Sequence, residues 1–271
     1  LEVLKCMFDN YSEENPFLTF WATNCAYMND PREILEGIEL VKDAISDIVD
    51  SNPSLQKRAR FILENDKIKE ALLIGSSVGK IGVPYSISFS CVKDNINMWR
   101  MYGQSGKGVA LGFMDDKINV DGCELTRCMY YDDGNDKDQK EVFDLIKEIF
   151  QKWFAKPQKK APSGISQEEY DFVRILEPIG EISPYFKNNA YKYEEEARLT
   201  TRCKTPQFRV ANNILTPYTV IQLPIESLES IIIGPDCDER NINSLKVFFL
   251  SKGLNKIAGK IEQSEVPYRN C

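Results

Sequence analysis

Strand-like runs outnumber clean helix–strand alternations along this chain, and that imbalance constrains its fold most. In the C-terminal half, "YKYEEEARLT" (191–200), "PYTVIQLPI" (217–225) and "LESIIIGP" (228–235) follow one another as strands. A single amphipathic helix, "NINSLKVFFLSKGL", comes next and is closed by Gly253. Clean βαβ units are scarce and there is no internal repeat, so the sequence predicts an α+β fold with a mixed or antiparallel sheet and flanking helices, not a doubly wound one. At 271 residues the chain can build a substantial core without staples.

The N-terminal half fits this plan. Residues 1–8 carry apolar groups at helical spacing without a cap, and "FLTFWATNCAYM" reads as a strand leading into the helix "NDPREILEGIELVKDAISDIV". There Asp30 is placed to cap the helix, Pro31 to take its first position and Glu33 to complete a capping box. Residues 54–75 read as a second helix, "YSISFSCV" as a strand, and "GKGVALGF" as another strand entered through glycines. Helical patterns over 138–156 and 166–177, around the polar linker "KPQKKAPSGIS", mark about 135–182 as a helical insertion in a single domain spanning 1–271. "KIAGKIEQSEVPYR" reads as the last strand.

Composition excludes several chemistries. The chain has no histidine, which removes serine–histidine and cysteine–histidine catalysis and most zinc sites, so no metal is expected and carboxylates must do any proton chemistry. The net charge of -7 argues against tight, sequence-independent DNA binding. The eight cysteines form no CxxC pair, as expected of reduced thiols in a cytoplasmic protein. The apolar runs fall well short of the roughly 20 residues of a membrane span, and no secretory signal is visible at the N-terminus.

Within "YKYEEEARLT", strand alternation puts Tyr191, Tyr193, Glu195, Ala197 and Leu199 on one face and Lys192, Glu194, Glu196, Arg198 and Thr200 on the other. The second face then carries two carboxylates about 7 Å apart with an arginine next in line. Two readings follow. The face is solvated and bridged by surface ion pairs, or it lines a cleft where the two carboxylates push each other's pKa apart while Arg198 holds one ionised. A pair of the second kind suits cleavage of a glycosidic bond, including the nicotinamide–ribose bond of NAD.

The segment "SFSCVKDNINMWRMYGQSGKGVALGF" (88–113) is the other concentration of unusual residues. Trp99 and Tyr102, three apart on a short helical turn, are expected to present a joint aromatic surface, and Gly103, Gly106 and Gly108 let backbone approach a ligand or a neighbouring strand. The alternative is a tight turn anchored by core aromatics.

Taken in order, "YMNDPREILEG", the 88–113 segment, "YKYEEEARL", "LESIIIGP" and "SEVPYR" resemble the bacterial family called domain of unknown function 2971, over essentially the whole chain. That family is similar to the ADP-ribosyltransferase superfamily, whose members bind NAD in a cleft of a split β-sheet through three elements often summarised as His-Tyr-Glu. The resemblance implies an ADP-ribosyltransferase-like split sheet, with Glu196 as the strand glutamate, Glu194 as its partner and Arg198 as support. It implies that Ser88, Phe89 and Ser90 form the second element with Trp99 and Tyr102 behind it, and that Asn29 and Asp30 occupy the family's NDP motif. Relatives often carry a His-Tyr-Thr-like element before the first helix, where this sequence begins at Leu1. They also often have a histidine where Met101 stands here.

The function these features imply is that of an NAD-dependent ADP-ribosyltransferase of a bacterial toxin or phage-defence kind, with NAD as substrate, no metal, and a macromolecular acceptor, protein or nucleic acid. Glu196→Gln is expected to abolish transfer with little loss of folding. The alternatives are a non-catalytic nucleotide-sensing or partner-binding module, and an NAD glycohydrolase that uses water as acceptor.

Overall fold

A computed structural model of the chain describes residues 1–28, 32–75, 82–131 and 136–268. Helix α1 (Glu2–Met7) precedes strand β1 (Phe17–Asn24). The Asn24 side chain accepts the Ala26 N–H at 3.1 Å, ending the strand in a 3-10 turn. Helix α2 (Glu33–Ser51) begins with Arg32 in the N-cap position and no side-chain cap; the expected capping residues Asp30 and Pro31 lie outside the described residues. The single helix anticipated over 54–75 is two, α3 (Gln56–Leu63) and α4 (Ile68–Gly75). Asn65 separates them: its side chain accepts the Lys67 N–H at 2.8 Å and restarts the chain.

Strand β2 (Tyr85–Ser90), helix α5 (Ile96–Met101), and strands β3 (Val109–Phe113), β4 (Cys123–Arg127) and β5 (Met129–Tyr131) lead into the long helices α6 (Asp136–Ala155) and α7 (Gln167–Ile182). A capping box between Ser166 and Glu169 starts α7, which runs on through Pro178, five residues beyond the stop read from the sequence. Strands β6 (Phe186–Asn188), β7 (Glu196–Thr201), β8 (Gln207–Ala211), β9 (Ile214–Pro224) and β10 (Leu228–Ile233), helices α8 (Arg240–Ser251) and α9 (Asn255–Ala258), and strand β11 (Ile261–Gln263) complete the chain. Gly253, at φ +74°, closes α8 in a Schellman turn, with Leu254 N–H on Phe249 O and Gly253 N–H on Leu250 O. Among the described residues, no helix is long and apolar enough to cross a membrane.

The strands form a six-stranded sheet in the order β4-β7-β2-β1-β9-β8, antiparallel throughout, a mixed three-stranded sheet β11-β10-β3, and a short parallel pair β5-β6. The α+β class with mixed and antiparallel sheets and flanking helices is therefore as the sequence implies. Strand β1 pairs with β9 from Phe17↔Pro224 to Thr23↔Tyr218, whereas its ladder with β2 consists of Thr23↔Ser86 and Asn24↔Tyr85. Continuing that register would set Trp21 opposite Ser88, so the large sheet parts between β1 and β2. Phe113 of β3 sits beneath the parting, its ring 5.7 Å from Phe20 and 5.9 Å from Phe89, both edge-on.

The large sheet separates two cores. Its apolar face, including Leu199, Ile87, Phe89 and Leu125, packs with the three-stranded sheet and with Phe249 and Ile257 of α8 and α9. The second core is helical: Val41 and Ile45 of α2 meet Ile146 and Phe150 of α6 and Ile175 and Ile179 of α7. Between this helical layer and the polar face of the sheet run the 3-10 turn 183–185 and β6. Helix α2 comes close to that turn because Gly37 has no Cβ, which would lie 2.6 Å from Ser183 O.

Candidate functional site

On β7, period-two alternation holds from Glu196 onward. Glu196, Arg198 and Thr200 share the polar face with their cross-strand neighbours Ser90, Ser88 and Ser86, while Ala197 and Leu199 enter the apolar core. Upstream of Glu196 the expected strand is absent. Residues Asn189–Glu194 form a 3-10 turn whose start is capped by the Asn188 side chain on Ala190 N–H at 3.0 Å. Glu195, at φ +40°, breaks the alternation, so Tyr191, Tyr193 and Glu195 do not line a strand face.

Glu194 nevertheless meets Glu196, through a residue the sequence reading did not single out. Lys187 Nζ lies 2.5 Å from Glu194 Oε2 and 2.7 Å from Glu196 Oε2. Arg198 grips Glu196 from the other side, with Nε on Oε1 at 2.7 Å and Nη2 on Oε2 at 3.0 Å, and its Nη1 donates to Pro184 O. Glu196 is 4% exposed and Arg198 1%. Burial alone would raise the Glu196 pKa, but the hydrogen bonds and charges of Arg198 and Lys187 outweigh it and hold the carboxyl at about 2.

Two tyrosines complete the centre. Tyr102 OH donates to Glu194 Oε1 at 2.9 Å, and burial together with that carboxylate pushes its pKa up to about 12. Tyr130 OH accepts the Glu196 N–H at 2.8 Å, and burial raises it to about 12 as well. The end of β2 fixes the 3-10 turn: Ser90 Oγ donates to Glu194 O at 2.8 Å and Cys91 N–H to Glu195 O at 2.8 Å. Asn95, the N-cap of α5, adds a bond from Nδ2 to Tyr193 O at 3.0 Å.

The remaining candidates divide. Ser88 is exposed on the polar face and Ser90 is bound to the Glu194 backbone, but Phe89 points to the opposite face, against Phe113. Trp99 and Tyr102 do not form a joint surface. Trp99 is 3% exposed, donates from Nε1 to Asp94 Oδ1 at 2.7 Å and packs under Gly103, while Tyr102 is 49% exposed. The anchored-turn reading therefore holds for Trp99. Asn29 and Asp30 lie outside the described residues.

Beside the parting, on the polar side of the sheet, Trp21 is 52% exposed. The Arg209 guanidinium sits 5.4 Å from the Trp21 ring and 5.9 Å from that of Tyr218, and its Nη2 donates to Thr23 Oγ1 at 2.9 Å. Arg209 Nε and Ser86 Oγ are buried without a hydrogen-bond partner. The sequence reading did not single out this patch; the signal that could have found it is a tryptophan at an alternating position of the strand "FLTFWATN". Nothing in spacing could connect Lys187 to Glu196, because β6 and β7 belong to different sheets.

Among the described residues, no group of three or more cysteine or acidic side chains is placed to hold a metal ion. Chemically, the centre is a buried set of two carboxylates and two cations, with both Glu196 oxygens engaged. One protein family, described as "Protein of unknown function (DUF2971)", has a sequence model that matches residues 98–199, a stretch that contains Tyr102, Lys187, Glu194, Glu196 and Arg198. No curated protein and no solved structure matches the chain.

Proposed function

We propose that this chain is an NAD-dependent ADP-ribosyltransferase that binds NAD at the parting of β1 and β2 and uses Glu196 at the reacting ribose. The observation that carries the reading is the position of a carboxylate held ionised, with its pKa at about 2, directly across from Ser90 at the end of the strand that forms one side of the parting. The exposed rings of Trp21 and Tyr102 offer stacking surfaces, and Arg209 supplies a cation suited to a pyrophosphate. The family match supports the neighbourhood and carries no activity of its own.

In the proposed step, the C–N bond between ribose and nicotinamide breaks with its electron pair going to nicotinamide. The ribose gains oxocarbenium character, which the Glu196 carboxylate stabilises. An acceptor nucleophile then bonds to the ribose carbon and gives up its proton to solvent, with Glu194 orienting the acceptor. Lys187 must first release Glu196 Oε2; its 2.5 Å bond to Glu194 offers it another anion to stay with. A macromolecular acceptor and a toxin or phage-defence role belong to the same proposal.

A second reading has its own support. With Lys187 and Arg198 both on Glu196, the centre is charge-balanced and closed, which suits a nucleotide-binding module without chemistry. Nicotinamide release from NAD, measured by chromatography with and without cell lysate, separates the two. Release that Glu196→Gln abolishes supports catalysis. Stimulation by lysate supports a macromolecular acceptor, and release indifferent to lysate supports hydrolysis. NAD binding without release leaves the binding module, and absence of binding overturns both readings. Because Glu196 lies in a buried ionic network, the substitution is not neutral for folding as its near-isosteric shape alone implies, so the variant's folded fraction is measured alongside.

A further inference from the structure

A groove of about 610 Å³ lies farther along the polar face of the large sheet, between β4 and β7 on one side and helices α6 and α7 on the other. It is separated from the Glu196 centre by the contact of Tyr185 OH with Thr200 Oγ1 at 2.7 Å. We propose that this groove binds a small zwitterion, an ammonium and a carboxylate carried on an apolar body, which is the chemistry of an apolar α-amino acid. The proposal is independent of the NAD reading.

Its size falls within the range of small-molecule pockets, roughly 300–1,000 Å³. Its polar groups are of both signs. Arg202 donates from Nη1 to Gly82 O, but its Nη2 is buried without a hydrogen-bond acceptor, although Glu181 Oε1 lies 3.5 Å away. A buried guanidinium nitrogen in that condition gains from a carboxylate oxygen. Glu181 and Glu124 bring two carboxylates to the same groove. Burial raises the Glu181 pKa, Arg202 offsets this only in part, and the charges of Glu177 and Glu124 add to the rise. Glu181 therefore gains from a cation.

A simple anion would leave Glu181 and Glu124 facing like charge, and a simple cation would leave Arg202 Nη2 without an acceptor. The 3.5 Å ion pair between Arg202 and Glu181 makes no well-aligned hydrogen bond, and a ligand with both groups gives the guanidinium an acceptor and the carboxylate a cation at once. Between them, Met129, Ile149, Ile182 and Phe186 form an apolar wall for the ligand's body.

The test is calorimetric titration of the full chain with L-leucine, L-methionine and L-phenylalanine, beside N-acetyl-L-leucine, which lacks the ammonium, and L-leucinamide, which lacks the carboxylate. The expected result is saturable binding of at least one free amino acid, with the matching derivatives about tenfold weaker or more, since a hydrogen bond to a charged group is at stake on each side. Arg202→Gln should weaken the amino acid and abolish its advantage over the amide. Glu181→Gln, a more exposed position, should abolish its advantage over the N-acetyl form. The proposal is overturned if none of the three amino acids binds saturably at millimolar concentration, or if either derivative binds as well as the free amino acid. It is also overturned if both folded variants discriminate as the unmodified chain does.

Discussion

Lys187 Nζ and Glu196 Oε2 lie 2.7 Å apart although their strands never pair: Lys187 is on the short β5–β6 ribbon and Glu196 on the six-stranded sheet. Along β6 the alternation sends Phe186 into the helical core and Lys187 toward the sheet's polar face, so two separately built elements meet at one ion pair. This pair organises the centre, because the same ammonium also holds Glu194.

Removing that ammonium should be costly. Lys187→Met leaves Glu194 and Glu196 buried with one cation fewer, and urea unfolding should show a loss of about 3–5 kcal/mol. The double variant Lys187→Met/Glu194→Gln removes one charge of each sign and should recover part of the loss. A Lys187→Met protein as stable as the parent would show that the buried ion pair does not form in solution.

The stability of the fold should carry the signature of Glu196 in acid. Its carboxyl is lowered from 4.5 to about 2 in the folded chain, so the unfolded chain binds the proton first as pH falls. The contribution, on the order of 3 kcal/mol by the size of the shift, is complete above pH 4.5 and is lost progressively as pH falls toward 2. Unfolding free energies of the parent should therefore drop more steeply between pH 5 and pH 3 than those of Glu196→Gln. Parallel curves would contradict the assignment.

Tyr102→Phe deletes the hydroxyl that donates to Glu194 Oε1 at 2.9 Å. A loss of about 1–2 kcal/mol is expected. In a spectrophotometric titration, the parent's absorbance rise near pH 12 should lose one tyrosine's worth of amplitude in the variant, because burial and Glu194 delay this ionisation to about 12. An amplitude lost near pH 10 instead would mean that the ring is not against the carboxylate.

Asp94 ties the aromatic turn to the C-terminal tail, accepting from Trp99 Nε1 at 2.7 Å, Ser264 Oγ at 2.6 Å and Glu265 N–H at 2.9 Å. Burial opposes its charge, but these bonds and Lys93 prevail and lower its pKa. Its φ of +56° is one that asparagine tolerates. Asp94→Asn, with one acceptor oxygen in place of two, should therefore cost about 1–2 kcal/mol and speed amide exchange at Glu265. Unchanged exchange there would show that the tail is held by something else.

Periodicity and turn chemistry were enough for the α+β class, for the polar set Glu196, Arg198 and Thr200 on β7, and for the Gly253 stop of α8, because each depends on neighbours within a few residues. Local signals also misled. Three glutamates in a β-rich run read as continuous strand, but the Asn188 cap and the left-handed backbone of Glu195 turned the first two of them out of it. The helix read over 166–177 runs on through Pro178 to Ile182, where Ile179 and Gly180 are buried.

What only the tertiary structure decided is which charges face one another. The sequence alone determined that histidine takes no part in any chemistry of these residues, and where along the chain the carboxylates cluster. It held nothing that joined Lys187 to Glu196, Tyr102 to Glu194, or Arg202 to Glu181, since side chains on different sheets and layers share no period. Those meetings arise when two cores close on opposite faces of one sheet, and burial there turns ordinary surface residues into a matched set of charges.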